Sequence, residues 1–129
     1  MNRHKAREKA FQILFPLDIN ELEVKDEINN QEDAELVSSE FLQELVKGVI
    51  QNKQAIDQYI SESLKNWTID RIATVEKTIL RIATYEIIFR EDIPVGVSIN
   101  EAVELAKVFG DEKSSKFING VLSNIIKDK

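Results

Sequence analysis

The chain has 129 residues, a hydrophobic fraction of 43%, a charged fraction of 31% and a formal net charge of -6. That length and balance predict one soluble globular domain with a real core and exclude a disordered chain. With no cysteine, disulfides and thiolate metal sites are excluded, and no apolar run approaches the roughly 20 residues that cross a bilayer. The N-terminus has charge but no apolar stretch with a small-residue cleavage site behind it, so it does not read as a signal peptide. A soluble, cytoplasmic protein is expected.

The first element is basic. Arg3, Lys5, Arg7 and Lys9 are opposed locally by Glu8 alone, at the start of an otherwise acidic chain. Local potential, more than net charge, decides where a polyanion docks. Ala6, Ala10, Ile13, Leu14 and Leu17 fall at helical spacing, and Pro16 is expected to kink or end that helix. On it Arg3, Arg7, Phe11 and Phe15 follow at i, i+4 steps, a single row down one side. Arginines hold phosphates in a fork, and an aromatic beside them offers a surface for an unpaired base. The plainer alternative makes the phenylalanines core and the cations a solvated helix end. Cations at a helix N-terminus oppose the helix dipole, however, which is easier to understand if they bind an anion.

Residues 18 to 44 are densely acidic, with Lys25 their one cation. They read as a solvated face, with docking of a basic protein as the sharper alternative, and residues 18 to 32 as a loop or marginal helix. From about Ala34 to Ile60 the set Val37, Phe41, Leu42, Leu45, Val46, Val49, Ile56 and Ile60 repeats helically, and Gly48 within it suggests a close helix crossing. Ile72 to Phe89 is the most apolar segment and is expected to be the central buried helix. Ser98-Ile99-Asn100-Glu101 matches a capping box that would start the next helix, which stops at Gly110. A last helix runs from about Ser114 through Ile126. The fold class is all-α, a single domain over residues 1–129.

Catalysis finds little support. His4 is the only histidine and sits in a terminal segment, so it reads as solvated or phosphate-contacting rather than catalytic. The glycines are isolated, so there is no phosphate loop. Glu101 and Glu104 share a helix face, but capping and solvation explain them without a metal. Nothing singles out a carboxylate pair for glycoside chemistry. No enzyme, metal or cofactor is expected. A second anion candidate lies at 110–120, where a loop meets a helix N-terminus: free amides, Ser114, Ser115 and Lys116 could receive a phosphate. Phe117 beside them would stack on a base or plug the core. Asp111 and Ser114 as helix caps are the alternative, and Gly120 suggests close packing.

Taken in order, several runs resemble the NusB transcription antitermination family. The opening Lys5-Ala6-Arg7-Glu8-Lys9-Ala10 with Gln12-Ile13-Leu14-Phe15 is similar to that family's first motif. Val75-Glu76-Lys77-Thr78-Ile79-Leu80-Arg81-Ile82-Ala83-Thr84-Tyr85-Glu86 resembles its central helix. Ile93-Pro94-Val95, then Ser98 through Lys107, and Phe109-Gly110-Asp111 to Lys116-Phe117-Ile118-Asn119-Gly120-Val121-Leu122 complete the pattern. The match spans nearly the whole chain and is weakest between residues 18 and 65.

The resemblance implies a compact fold of about seven helices in two packed bundles. It implies non-catalytic recognition of single-stranded boxA RNA in nascent ribosomal RNA transcripts. The family acts with NusE, a protein of the small ribosomal subunit, in an antitermination complex on RNA polymerase. By position the RNA face would take Arg3, Lys5, Arg7, Phe15, Glu76, Lys116 and Phe117. Phe15 stands where the family commonly has tyrosine, and Lys113 where some relatives are acidic, a departure that would alter RNA affinity or discrimination. Arg81 and Asn119 are assigned to packing and local hydrogen bonds. Similar domains occur fused to RNA methyltransferases, but this chain ends at Lys129 with no cofactor loop, so a standalone adaptor is expected, as monomer or homodimer. The competing class is a module that docks a basic protein through Glu27, Asp33 or Glu35 without touching RNA.

Overall fold

The computed structural model describes residues 1–20, 39–65 and 67–128. Among them lie six α-helices, one 3₁₀ turn and no strand. The acidic segment 21–38, with Glu27, Asp33 and Glu35, lies outside the described residues.

Helix α1 spans Arg3–Asn20. Asn2 opens it, its side-chain oxygen accepting from the Lys5 amide at 2.8 Å. Pro16, expected to kink or end the helix, does not end it: α1 continues to Asn20. Two anchors beyond the proline hold it: Leu17 is in the core, and Asp18 accepts from Thr78 Oγ1 at 2.6 Å and pairs with Arg81 at 3.0 Å. Tertiary bonds thus outweigh the one backbone bond that proline removes.

The helical pattern expected from Ala34 to Ile60 is two elements, α2 (Glu40–Gln51) and α3 (Lys53–Ser63). Ser39 Oγ caps α2 by accepting from the Leu42 amide at 3.2 Å. Asn52 divides the pair with φ -111° and ψ 17°, and its side-chain amide donates to the Gly48 carbonyl at 2.8 Å. Asparagine favours such breaks because its side chain replaces a backbone partner.

A 3₁₀ turn (Ile69–Arg71) leads into α4 (Thr74–Phe89). Every residue of α4 from Thr78 to Ile87 is buried, and the helix packs against each of the other five. The expectation of a central helix holds. Gly48 is the crossing point of α2 on α4: a Cβ there would lie 2.3 Å from the Tyr85 ring. Helix α5 (Val95–Phe109) and α6 (Glu112–Asp128) close the bundle. The Ser98–Glu101 capping box is not realised. Helix α5 starts four residues earlier, with Pro94 at the N-cap position, and buried Ser98 lies inside it, donating to Glu86 Oε1 at 3.0 Å. Gly110 ends α5 as expected, at φ -122°, and the reason is room: a Cβ would sit 3.0 Å from the Ala106 carbonyl and from Ser114 Oγ.

Candidate nucleic-acid interface

The residues singled out along the sequence fall at two ends of the antiparallel pair α1/α4. At the first end, Arg3 and Lys5 are exposed on the opening turn of α1, which carries no acidic residue. The Arg3 guanidinium lies 4.6 Å from the Phe41 ring centroid, a cation–π contact, and its charge also acts on the Asp92 carboxyl. Arg90 approaches the same ring at 5.5 Å and is itself held by Asp92 at 2.8 Å and by Glu44. The bidentate Arg90 fork keeps the Asp92 carboxyl down at about 2.

Arg7 departs from its neighbours. It is 2% exposed, and its guanidinium grips Glu86 in a two-bond fork at 2.8 and 2.7 Å. Glu101 stands 3.7 Å from its remaining nitrogen. The i, i+4 row therefore turns inward after Arg3, because carboxylates on α4 and α5 supply the partner that an RNA phosphate was expected to supply. Arg7 lies behind the basic surface, not on it. Glu101, read from sequence as a cap, is instead an anchor: it also accepts from His4 Nδ1 at 2.8 Å, while His4 Nε2 faces Glu8 at 2.9 Å. The hydrogen bond to Glu101, with the charges of both carboxylates, raises the His4 pKa above its ordinary 6.5.

Further along α1, Phe11 is core, stacked on Phe109 at 4.2 Å and on Phe15 at 5.1 Å. Phe15 is half-buried, so one face is committed to Phe11. This aromatic chain runs from α1 to the C-terminal end of α5, where the second end of the interface begins. There Glu76 on the first turn of α4 shares a cleft of about 220 Å³ with Lys113 and Phe117 of α6. Lys116 and Phe117 line a second, adjoining cleft of about 440 Å³. The free helix N-terminus expected to take a phosphate is already occupied, since Asp111 Oδ1 accepts from the Ser114 amide at 2.8 Å. That bond holds the Asp111 carboxyl below its usual range. What remains for an anion here is side-chain charge, on Lys113 and Lys116.

The sequence model of the NusB family matches residues 4–127. The chain belongs to the NusB family. It is 61% identical over 126 residues to the transcription antitermination protein NusB of Oceanobacillus iheyensis, covering 98% of this chain and 99% of that protein. In structure it is similar to T. maritima NusB, with a TM-score of 0.87 at 34% identity over 99% of this chain and 92% of that one. It also resembles, with a TM-score of 0.81 at 31% identity over the full length of both chains, a chain from a crystal of the antitermination factors NusB and NusE with double-stranded RNA.

Within this NusB fold the sequence reading of Arg81 is met. Its guanidinium forks Asp57 at 2.8 Å and pairs with Asp18, tying α3 and α1 to α4. Asn119 follows in part: it is exposed and not packed, but its backbone carbonyl makes a local hydrogen bond, accepting from Ser123 Oγ at 2.8 Å. Gly120 likewise packs against nothing; a Cβ there would meet no atom within 4 Å. It lines the larger cleft instead. Glu104 pairs with Lys107 at 3.5 Å, and among the described residues no group of three or more acidic or histidine side chains is arranged to hold a metal. Among the same residues no helix is long and apolar enough to cross a membrane. Sequence reasoning passed over Trp67, which lines both clefts. A lone tryptophan between Lys65 and Arg71 in a polar connection was the signal available.

Proposed function

We propose that this chain is a non-catalytic transcription antitermination factor, one NusB-like domain over residues 1–129. In the cytoplasm it would bind single-stranded boxA RNA of nascent ribosomal RNA together with NusE, and join the antitermination complex on RNA polymerase. The observation that carries the reading is the Phe117 cleft: a half-buried aromatic flanked by Lys113 and Lys116 in a protein of net charge -6. Unpaired bases stack on such rings while phosphates take the cations. Glu76 would accept from a base edge, and Phe15 would offer its remaining edge to a neighbouring base. Arg3 and Lys5 would hold phosphates at the other end of the strand. Arg7 would act from behind, fixing the helix that carries them.

The two ends fit one ligand in length. Helix α4 has 16 residues, about 24 Å at 1.5 Å per residue, and a strand advancing about 3.4 Å per nucleotide spans that in roughly seven nucleotides. Acidic surface elsewhere would discourage nonspecific binding. Fluorescence anisotropy with labelled boxA RNA, a scrambled strand and a boxA duplex, each with and without NusE, tests the proposal. Preference for single-stranded boxA, tightened by NusE, is expected. Equal weak binding to all three RNAs with undiminished binding to NusE would move the function to protein docking.

A further inference from the structure

We propose that Trp67 is a second base-stacking platform of the RNA site, paired with Phe117 and ringed by cations that no sequence motif marks. The inference rests on the RNA-binding reading above and adds to it a residue and a mode of contact.

Trp67 and Phe117 are the two side chains common to both clefts, so together they form the wall that divides them. Trp67 is 56% exposed, in the segment between α3 and the 3₁₀ turn. A ring that size left open to water forgoes a large hydrophobic gain, and exposed apolar surface rimmed by polar groups marks binding sites. The rim here is cationic. Lys65 and Lys116 border one cleft, Arg71 and Lys113 the other, against Glu76 as the acidic lining residue. All four cations are exposed, and among the described residues none has a carboxylate within 4 Å, whereas Arg7, Arg81 and Arg90 are all tied into ion pairs. Beside Phe117, Gly120 keeps the larger cleft open by having no side chain, although glycine costs a helix interior about 1 kcal/mol.

Two aromatics with four uncommitted cations around them suit an unpaired nucleic-acid strand better than a protein helix. A base offers a π-face to each ring, and successive phosphates meet Lys65 and Lys116 on one side and Arg71 and Lys113 on the other. A duplex keeps its bases stacked on one another and cannot use the rings in this way. The mode therefore favours single strands.

Trp67 is the only tryptophan, so the full chain carries its own reporter. The test follows Trp67 emission and the anisotropy of a labelled boxA RNA in one titration, and repeats the anisotropy with Trp67→Ala and Trp67→Phe. Emission should be quenched in step with the anisotropy rise. Trp67→Ala should weaken binding about tenfold with an unchanged salt slope, since a stack is not an ion pair, and Trp67→Phe should restore most of the loss. Thermal midpoints of the variants should match the parent, because the ring is exposed. RNA binding with unchanged emission and full affinity in Trp67→Ala would overturn the role of Trp67 while leaving the RNA reading intact. Quenching by NusE alone, with none from RNA, would assign the ring to a protein contact and overturn it too. No anisotropy rise with any RNA would sink the RNA reading itself, and this inference with it.

Discussion

At the scale of single residues, the two arginines that open α1 differ in kind although they sit four positions apart. Arg7 and Glu86 form a buried fork with Ser98 as third partner. Removing one member strands a charge, which typically costs 3–5 kcal/mol. Arg7→Ala should therefore lower unfolding stability by about that amount in urea titration, whereas Arg3→Ala should change it by less than about 0.5 kcal/mol. Equal, small effects would place Arg7 on the surface after all. His4 supplies a pH signature. Its folded pKa is raised above 6.5, chiefly by the Glu101 hydrogen bond, so its contribution is complete below the unfolded value and lost as pH rises through the folded one. The melting temperature of the parent should fall over that window relative to His4→Gln; parallel curves for the two proteins would argue against the raised pKa. Sequence showed both side chains as basic residues near a helix start. It could not show which would meet Glu86 and Glu101, because those carboxylates are 79 and 94 or more positions away and reach α1 only through the tertiary fold.

At the scale of elements, Gly48 and Gly120 look alike in sequence, each an isolated glycine within a helical pattern, and the fold separates them. Gly48 admits the Tyr85 ring, with 2.3 Å available for a Cβ, so Gly48→Ala must displace α4 or the ring and should cost about 1–3 kcal/mol. Gly120 faces open space, so Gly120→Ala should stabilise α6 by up to about 1 kcal/mol. Thermal or urea unfolding of the two variants reads the opposite signs directly, and destabilisation by Gly120→Ala would show a close packing partner. Helix existence was legible among the described residues, since the helical period of buried residues in α2 and α6 is a local property. Ends were less so. Pro94 supplies an extended residue ahead of α5 and displaces the Ser98 capping box, while the Asp18 anchor on Thr78 and Arg81 carries α1 past Pro16. At Pro16 a contact from elsewhere overrode a local signal, and at Ser98 one local signal overrode another.

At the scale of the whole molecule, the charge asymmetry seen in sequence survives folding in altered form. Asp18 and Glu44, read as parts of a solvated acidic face, are bound to Arg81 and Arg90. Of the exposed cations, Arg3 and Lys5 stand at the start of α1 and Lys65, Arg71, Lys113 and Lys116 around the Trp67–Phe117 wall, while Lys47, Lys107 and Lys127 lie elsewhere. Phe117, Lys116 and Glu76 could be proposed from the sequence because the family resemblance places them by position. Trp67, Lys65 and Arg71 were not, because their meeting with α6 depends on how α3 returns across the bundle. The central claim is that one RNA strand touches both cationic ends, and the salt dependence of boxA binding tests it most directly. Each phosphate contact on a single strand contributes about 0.7 to the slope of log affinity against log salt. Arg3→Ala and Lys116→Ala should each flatten that slope by about 0.7, and the double variant by about 1.4. An unchanged slope in Arg3→Ala beside a reduced one in Lys116→Ala would confine the RNA to the Phe117 end and contradict the account.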